Sequence, residues 1–175
     1  MRVLEHRRHS RRDPTDIHLS REGVELARRV GPTLGRFDRV VASPKPRAVE
    51  TVRALGFALD AVLPDLGVMP DEAGLVGDAS SPRSFADYVR AIRRSEATAG
   101  YAFRQATRMH EELARLPEGG RLLLISHGGV IEFGAAAARP QDALSWGPPA
   151  GHLEGVRLFL DRGEWVRGEV LRVRA

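Results

Sequence analysis

The chain has 175 residues, 42% of them hydrophobic and 29% charged, which is the balance of a globular protein and not of a disordered one. It carries no cysteine, which excludes disulfides, thiolate catalysis and Cys-ligated metals, and its net charge of +4 is mild. No apolar run approaches the roughly 18–20 residues of a membrane span, and Arg2, Glu5 and His6 deny the N-terminus the apolar stretch of a signal peptide, so a cytoplasmic location is the expectation.

In chain order, Arg2 to His6 reads as a short strand and Arg7 to His18 as a polar loop. Ser20 is an N-cap, and Val24, Leu26, Ala27, Val30 and Leu34 form the apolar stripe of a first helix. Asp38 to Ser43 has the pattern of a buried strand, and Pro46 opens a second helix with the stripe Ala48, Val49, Val52, Leu55. Residues 61–81 are rich in Pro, Gly and Asp and read as strand plus loop. Ser81 followed by Pro82 predicts the start of a helix running through Ile92. Thr98 to Leu116 is a further helix, ended by Pro117-Glu118-Gly119-Gly120. Arg121 to Ser126 is a third clear strand, followed by a short helix over 131–138. Two last strands, 155–160 and 165–173, flank the turn Asp161-Arg162-Gly163-Glu164. With no repeat, linker or low-complexity tract, residues 1–175 read as a single domain. The alternation of strand and helix predicts an α/β fold, a three-layer α/β/α sandwich with a mainly parallel central sheet.

Three predicted strands end in residues that carry charge or imidazole. The first leads to Arg8-His9-Ser10, the second to Ser43 and then Arg47, the third to Ser126-His127-Gly128-Gly129. In α/β folds the C-terminal strand ends are where sites assemble. Two arginines and two histidines converging there make an anion pocket with an imidazole nucleophile, which suits phosphoryl transfer. Arginine neutralises phosphate bidentately, and fixed positive charge lowers the pKa of a nearby histidine, keeping it neutral for attack. The bland alternative is a basic, solvated arm over His6, Arg7, Arg8, His9, Arg11 and Arg12 that touches nucleic acid non-specifically. It leaves the placement of Arg47 and His127 unexplained. A metal pair on His9 and His127 lacks a carboxylate at ligand spacing and would face two arginines, so no metal and no cofactor are expected. His18, His110 and His152 belong to no readable constellation, Thr51 reads as helix-start chemistry, and Trp146 and Trp165 read as packing residues.

Four pieces in order resemble the histidine phosphatase superfamily, the phosphoglycerate mutase-like proteins. They are Arg8-His9-Ser10; Leu19-Ser20-Arg21-Glu22-Gly23; Ser43 with Arg47, Ala48 and Thr51; and Ser126 to Ile131. The resemblance spans most of the first 131 residues. Ser10 replaces the commoner Gly, and Thr15 stands where many relatives have a phosphate-contacting Asn. By this resemblance His9 is the phosphorylated nucleophile, and Arg8, Arg47 and His127 bind the phosphoryl group. Glu72 is the candidate acid for the leaving oxygen, with Asp71 and Asp78 as rivals. The implied function is metal-independent hydrolysis of a phosphorylated small molecule or phosphoprotein, without nucleic-acid or membrane partners. The alternatives are a phosphomutase of the same superfamily or a non-catalytic phosphate-binding domain.

Overall fold

A computed structural model describes residues 1–67 and 82–173. Six strands form one sheet: β1 (Arg2–Arg8), β2 (Arg39–Ala42), β3 (Ala61–Val62), β4 (Arg121–Ser126), β5 (Gly155–Asp161) and β6 (Glu164–Leu171). Their order across the sheet is β3-β2-β4-β1-β5-β6. The β3-β2-β4-β1 part is parallel, and β5 and β6 add an antiparallel edge. The expected three-layer sandwich with a mainly parallel sheet is what forms.

The apolar run of β4 shows why. Alternate side chains of a strand point to opposite faces, and Leu123 and Ile125 enter one core while Leu122 and Leu124 enter the other. On the first face lie α1 (Arg21–Val30) and α2 (Pro46–Ala54), which contribute Ala27, Val30, Ala48 and Val52. On the second lie α3 (Phe85–Arg94), α4 (Glu96–Ala114) and α5 (Val130–Ala138), with Phe85, Met109, Leu113 and Phe133 fully buried. At about 1.5–3 kcal/mol for each large apolar side chain removed from water, both faces hold the strands firmly in register. No described helix is long and apolar enough to cross a membrane.

The structure shifts some boundaries. The first strand does not stop at His6. Arg7 and Arg8 continue it, pairing with Ile125 and Ser126 of β4. Arg7 can stay in a nearly buried strand position because it lies 2.8 Å from Glu5, which Arg157 (2.9 Å) and Arg121 (3.2 Å) also contact. Burial would raise the Glu5 carboxyl, but Arg7 and Arg157 outweigh it and hold it below the usual range. The third helix starts at Phe85, with Ser84 and not Ser81 as its cap. The Ser84 hydroxyl accepts the Asp87 N–H and the Asp87 carboxylate accepts the Ser84 N–H, the reciprocal pair of a capping box. Residue 81 itself lies outside the described residues. A one-turn helix, α6 (Pro140–Ala143), follows α5 and was not foreseen.

Candidate active site

Strands β2, β4 and β1 are neighbours, so the segments leaving their C-terminal ends meet at one edge. The ladder continues one step past the strands: the His9 N–H donates to the Ser126 carbonyl and the Ser43 N–H to the Ile125 carbonyl, each at 2.9 Å. His9, Ser43 and His127 are thereby fixed side by side.

His9 is nearly buried, and its Nδ1 lies 2.6 Å from the Ser10 carbonyl oxygen. A carbonyl only accepts, so the proton is on Nδ1 and Nε2 holds the lone pair. The Arg47 Nε–H donates to that lone pair at 3.1 Å. Burial lowers the His9 pKa to about 4, opposed by the bond to Ser10 and aided by Arg47, Arg8 and His152. Near neutral pH the ring is therefore uncharged, with its nucleophilic nitrogen presented to a guanidinium.

Several contacts hold that geometry. The Ser10 N–H donates to Thr51 Oγ1 (2.9 Å), whose own hydroxyl donates to the Arg47 carbonyl (2.7 Å), tying the loop after His9 to the first turns of α2. Thr51 is thus a link in the site as well as a helix residue. The Ser10 hydroxyl donates to the Gly23 carbonyl (2.7 Å). A Cβ on Gly23 would sit 2.0 Å from the Arg11 carbonyl oxygen, so only glycine lets α1 approach the loop this closely.

His127 approaches His9 with 5.2 Å between ring centroids. Its Nε2 lies 2.6 Å from Ser43 Oγ, which already accepts the Lys45 N–H at 3.2 Å. Among the described residues His127 Nε2 is the one acceptor within reach of the Ser43 hydroxyl proton, so that proton points to Nε2 and leaves His127 Nδ1 as a donor. Burial brings the His127 pKa down to about 3, with Arg47, His9, Lys45 and Arg8 adding to it. Arg8 Nη1 donates to the Ala150 carbonyl at 3.1 Å, and the guanidinium lies against Gly128. Two buried atoms, Arg8 Nε and His127 Nδ1, have no hydrogen-bond partner among the described residues. Both are donors of the kind a phosphoryl oxygen accepts. Arg8, His9, Arg47 and His127 are thus brought together; Glu72, Asp71 and Asp78 lie outside the described residues.

Residues 4–69 match the family model described as histidine phosphatase superfamily (branch 1). By this match over its first part the chain resembles that superfamily. Among solved structures, it is similar to phosphoserine phosphatase from Entamoeba histolytica at 16% identity, covering 99% of this chain and 98% of that one with a TM-score of 0.68. A mycobacterial glucosyl-3-phosphoglycerate phosphatase in complex with VO3 is 22% identical over 98% of both chains, again with a TM-score of 0.68. Phosphoglycerate mutase from Bacillus anthracis is 15% identical over 94% of this chain and 90% of that one, with a TM-score of 0.65. No curated protein matches the chain.

Two residues that the sequence reading did not single out reach the site. Glu132, in the first turn of α5, is fully buried. It accepts the N–H of Gly129 at 2.6 Å and of Ala150 at 2.8 Å. Gly129 has φ +85°, a left-handed turn suited to glycine, and Glu132 clamps it. Burial raises the Glu132 pKa, against the two N–H donors and Arg8.

His152 is the second. Its ring centroid is 5.9 Å from that of His9, so it belongs to the constellation from which the sequence appeared to exclude it. His18 and His110 lie elsewhere, on Glu50 and the Gly163 carbonyl. His6 sits inside the sheet with its Nε2 2.5 Å from Ser126 Oγ, and burial pushes its pKa to about 3.

Proposed function

We propose that the protein is a phosphoryl-transfer enzyme that hydrolyses phosphomonoesters without a metal, through a phosphohistidine on His9. One observation carries the reading: a neutral imidazole whose Nε2 lone pair is held toward Arg47, next to two unpartnered buried donors on Arg8 and His127. In that frame the phosphoryl oxygens are bound by Arg8, Arg47 and His127, and charge developing in transfer is met by groups already in place. Nε2 forms the N–P bond as the ester P–O bond breaks. Water then attacks phosphorus and the electron pair of the N–P bond returns to Nε2. Glu72 is the sequence's candidate for the carboxylate that serves as acid and then base. Hydrolysis rather than phosphoryl return to a second hydroxyl is supported by the phosphatases among the similar structures, and the reaction acts on a phosphorylated small molecule or phosphoprotein.

The test is hydrolysis of a chromogenic aryl phosphate from mildly acidic to neutral pH with chelator present, for wild type and His9→Ala. The reading expects chelator-resistant turnover that His9→Ala abolishes while the far-UV circular dichroism stays unchanged. Turnover retained in His9→Ala sinks the mechanism. Phenolate release that depends on an added acceptor alcohol, with the phosphoryl group recovered on that alcohol and not as free phosphate, gives the mutase reading instead. Vanadate binding without any turnover gives the phosphate-binding domain.

A further inference from the structure

His152 is unusually well fixed for a residue in a loop. The Ala150 N–H is held by Glu132 and the Ala150 carbonyl by Arg8. The Leu153 N–H donates to the Arg8 carbonyl at 3.1 Å, and the Leu153 carbonyl accepts from Arg7 Nη1 at 2.9 Å. Leu153 itself has φ +60°, a left-handed conformation that a branched, fully buried residue rarely adopts. Such strain persists only where its surroundings overdetermine it, and it clusters at functional sites. Here it lets Leu153 enter the core below the sheet edge while the preceding side chain stays beside His9. The result is an imidazole held against the nucleophile at 5.9 Å between centroids, with no hydrogen bond of its own among the described residues. Its outer side lines an open groove of about 780 Å3 between α1 and the end of β6, with Arg11, Leu26 and Arg29 on the opposite wall.

We propose that His152 is a catalytic residue: it protonates the leaving oxygen in the first phosphoryl transfer and takes a proton from the attacking water in the second. The proposal rests on the reading of His9 as nucleophile. In the first step the P–O bond breaks, its electron pair goes to the leaving oxygen, and the His152 imidazolium supplies the proton. In the second, water loses a proton to the neutral His152 as it bonds to phosphorus, which restores the imidazolium.

The charges around His152 explain when it is protonated. Arg8 and Arg11 face it, His9 lies beside it, and the nearby Glu154 is occupied by the Gly151 N–H and Arg172. Burial and those two arginines lower its pKa in the free protein. A phosphomonoester dianion adds two negative charges at the same place and reverses that sign. Binding of the substrate therefore loads the acid.

General acid catalysis matters in proportion to how poor the leaving group is, which separates this role from a structural one. The experiment measures kcat/KM, which reads the first phosphoryl transfer alone, for p-nitrophenyl phosphate and for an alkyl ester, β-glycerophosphate. His152→Asn, His152→Gln and Glu72→Gln are compared with wild type. The expected result is a loss of about 100-fold or more on the alkyl ester in both His152 variants. The loss on the aryl ester, whose leaving phenolate needs no proton, stays within about fivefold, well under that acid contribution. The aryl activity is at once the control for folding. Equal losses on both esters overturn the proposal, as does an alkyl-selective loss confined to Glu72→Gln. Failure of the underlying reading shows differently, as wild-type protein that turns over neither ester or as activity that survives His9→Ala.

Discussion

Replacing Glu132 with Ala should cost this protein about as much as a large-to-small truncation in the core, for a reason visible in two bonds. The carboxylate accepts the N–H groups of Gly129 and Ala150 at 2.6 and 2.8 Å in a fully buried position. Alanine leaves both donors buried without acceptors, and each such group costs about 1–3 kcal/mol. The sum, about 2–6 kcal/mol, is reduced because burial already opposes the ionised carboxylate, so a loss of about 3 kcal/mol is the expectation. In a chain of this length that lowers the thermal midpoint by roughly 6–12 °C. Glu132→Gln keeps one acceptor oxygen but turns an NH2 group toward the other N–H, and should lose about half as much. Urea unfolding of the three proteins measures the differences. A binding effect accompanies the stability effect, because Ala150, whose N–H Glu132 accepts, offers the carbonyl that holds Arg8. Vanadate should bind Glu132→Gln more weakly than wild type at a temperature where both are folded. A loss under about 1 kcal/mol for Glu132→Ala would refute the argument that this carboxylate satisfies the two loops.

His6 makes a pH prediction. Its pKa is about 3 in the folded protein, chiefly through burial, against an ordinary value of 6.5. A depressed folded value means that the unfolded chain takes up the proton first. The stability is present above pH 6.5 and is lost as pH falls toward 3, at about 1.4 kcal/mol per pH unit. His6→Asn should make the slope of unfolding free energy against pH shallower by one proton between pH 6 and 4, and an unchanged slope in urea titrations would show that His6 does not titrate as described. Ser43→Ala removes the hydroxyl that fixes the His127 tautomer and accepts the Lys45 N–H. One net hydrogen bond of about 0.5–1.5 kcal/mol corresponds to a drop of up to roughly tenfold in kcat/KM, and wild-type kinetics in Ser43→Ala would remove Ser43 from the site.

Much of the site could be read from the sequence because its parts sit next to apolar runs. The stretch Leu122 to Ile125 is buried on both faces and announces a central strand, so the residues that follow it fall at the sheet edge without further information. The same reasoning places His9 and Ser43. What could not be read has physical reasons. Arg7 and Arg8 look like loop, since the ion pairs that let Arg7 lie in β1 reach it from Glu5 within a cluster completed by residues 121 and 157. His152 is separated from every motif by Pro148, Pro149 and Gly151, and only the antiparallel pairing of β5 with β1 brings it to His9. That pairing carries a usable rule: an antiparallel neighbour of β1 starts where β1 ends, so Gly155 pairs with Arg7 and the residues just before β5 arrive at the site. Glu132 left a trace too, as the lone charge in the apolar helix Val130–Ala138.

The central claim is a covalent bond between His9 Nε2 and phosphorus, and acid-free denaturing quench of the enzyme during turnover, followed by intact-mass and peptide mass spectrometry, tests it most directly. The account predicts one added phosphoryl group on the peptide containing His9, formed within a single turnover, lost on brief acid treatment and absent from His9→Ala. Turnover that proceeds with no phosphorylated His9 at any quench time, or with the phosphoryl group on His127 or His152 instead, would contradict it.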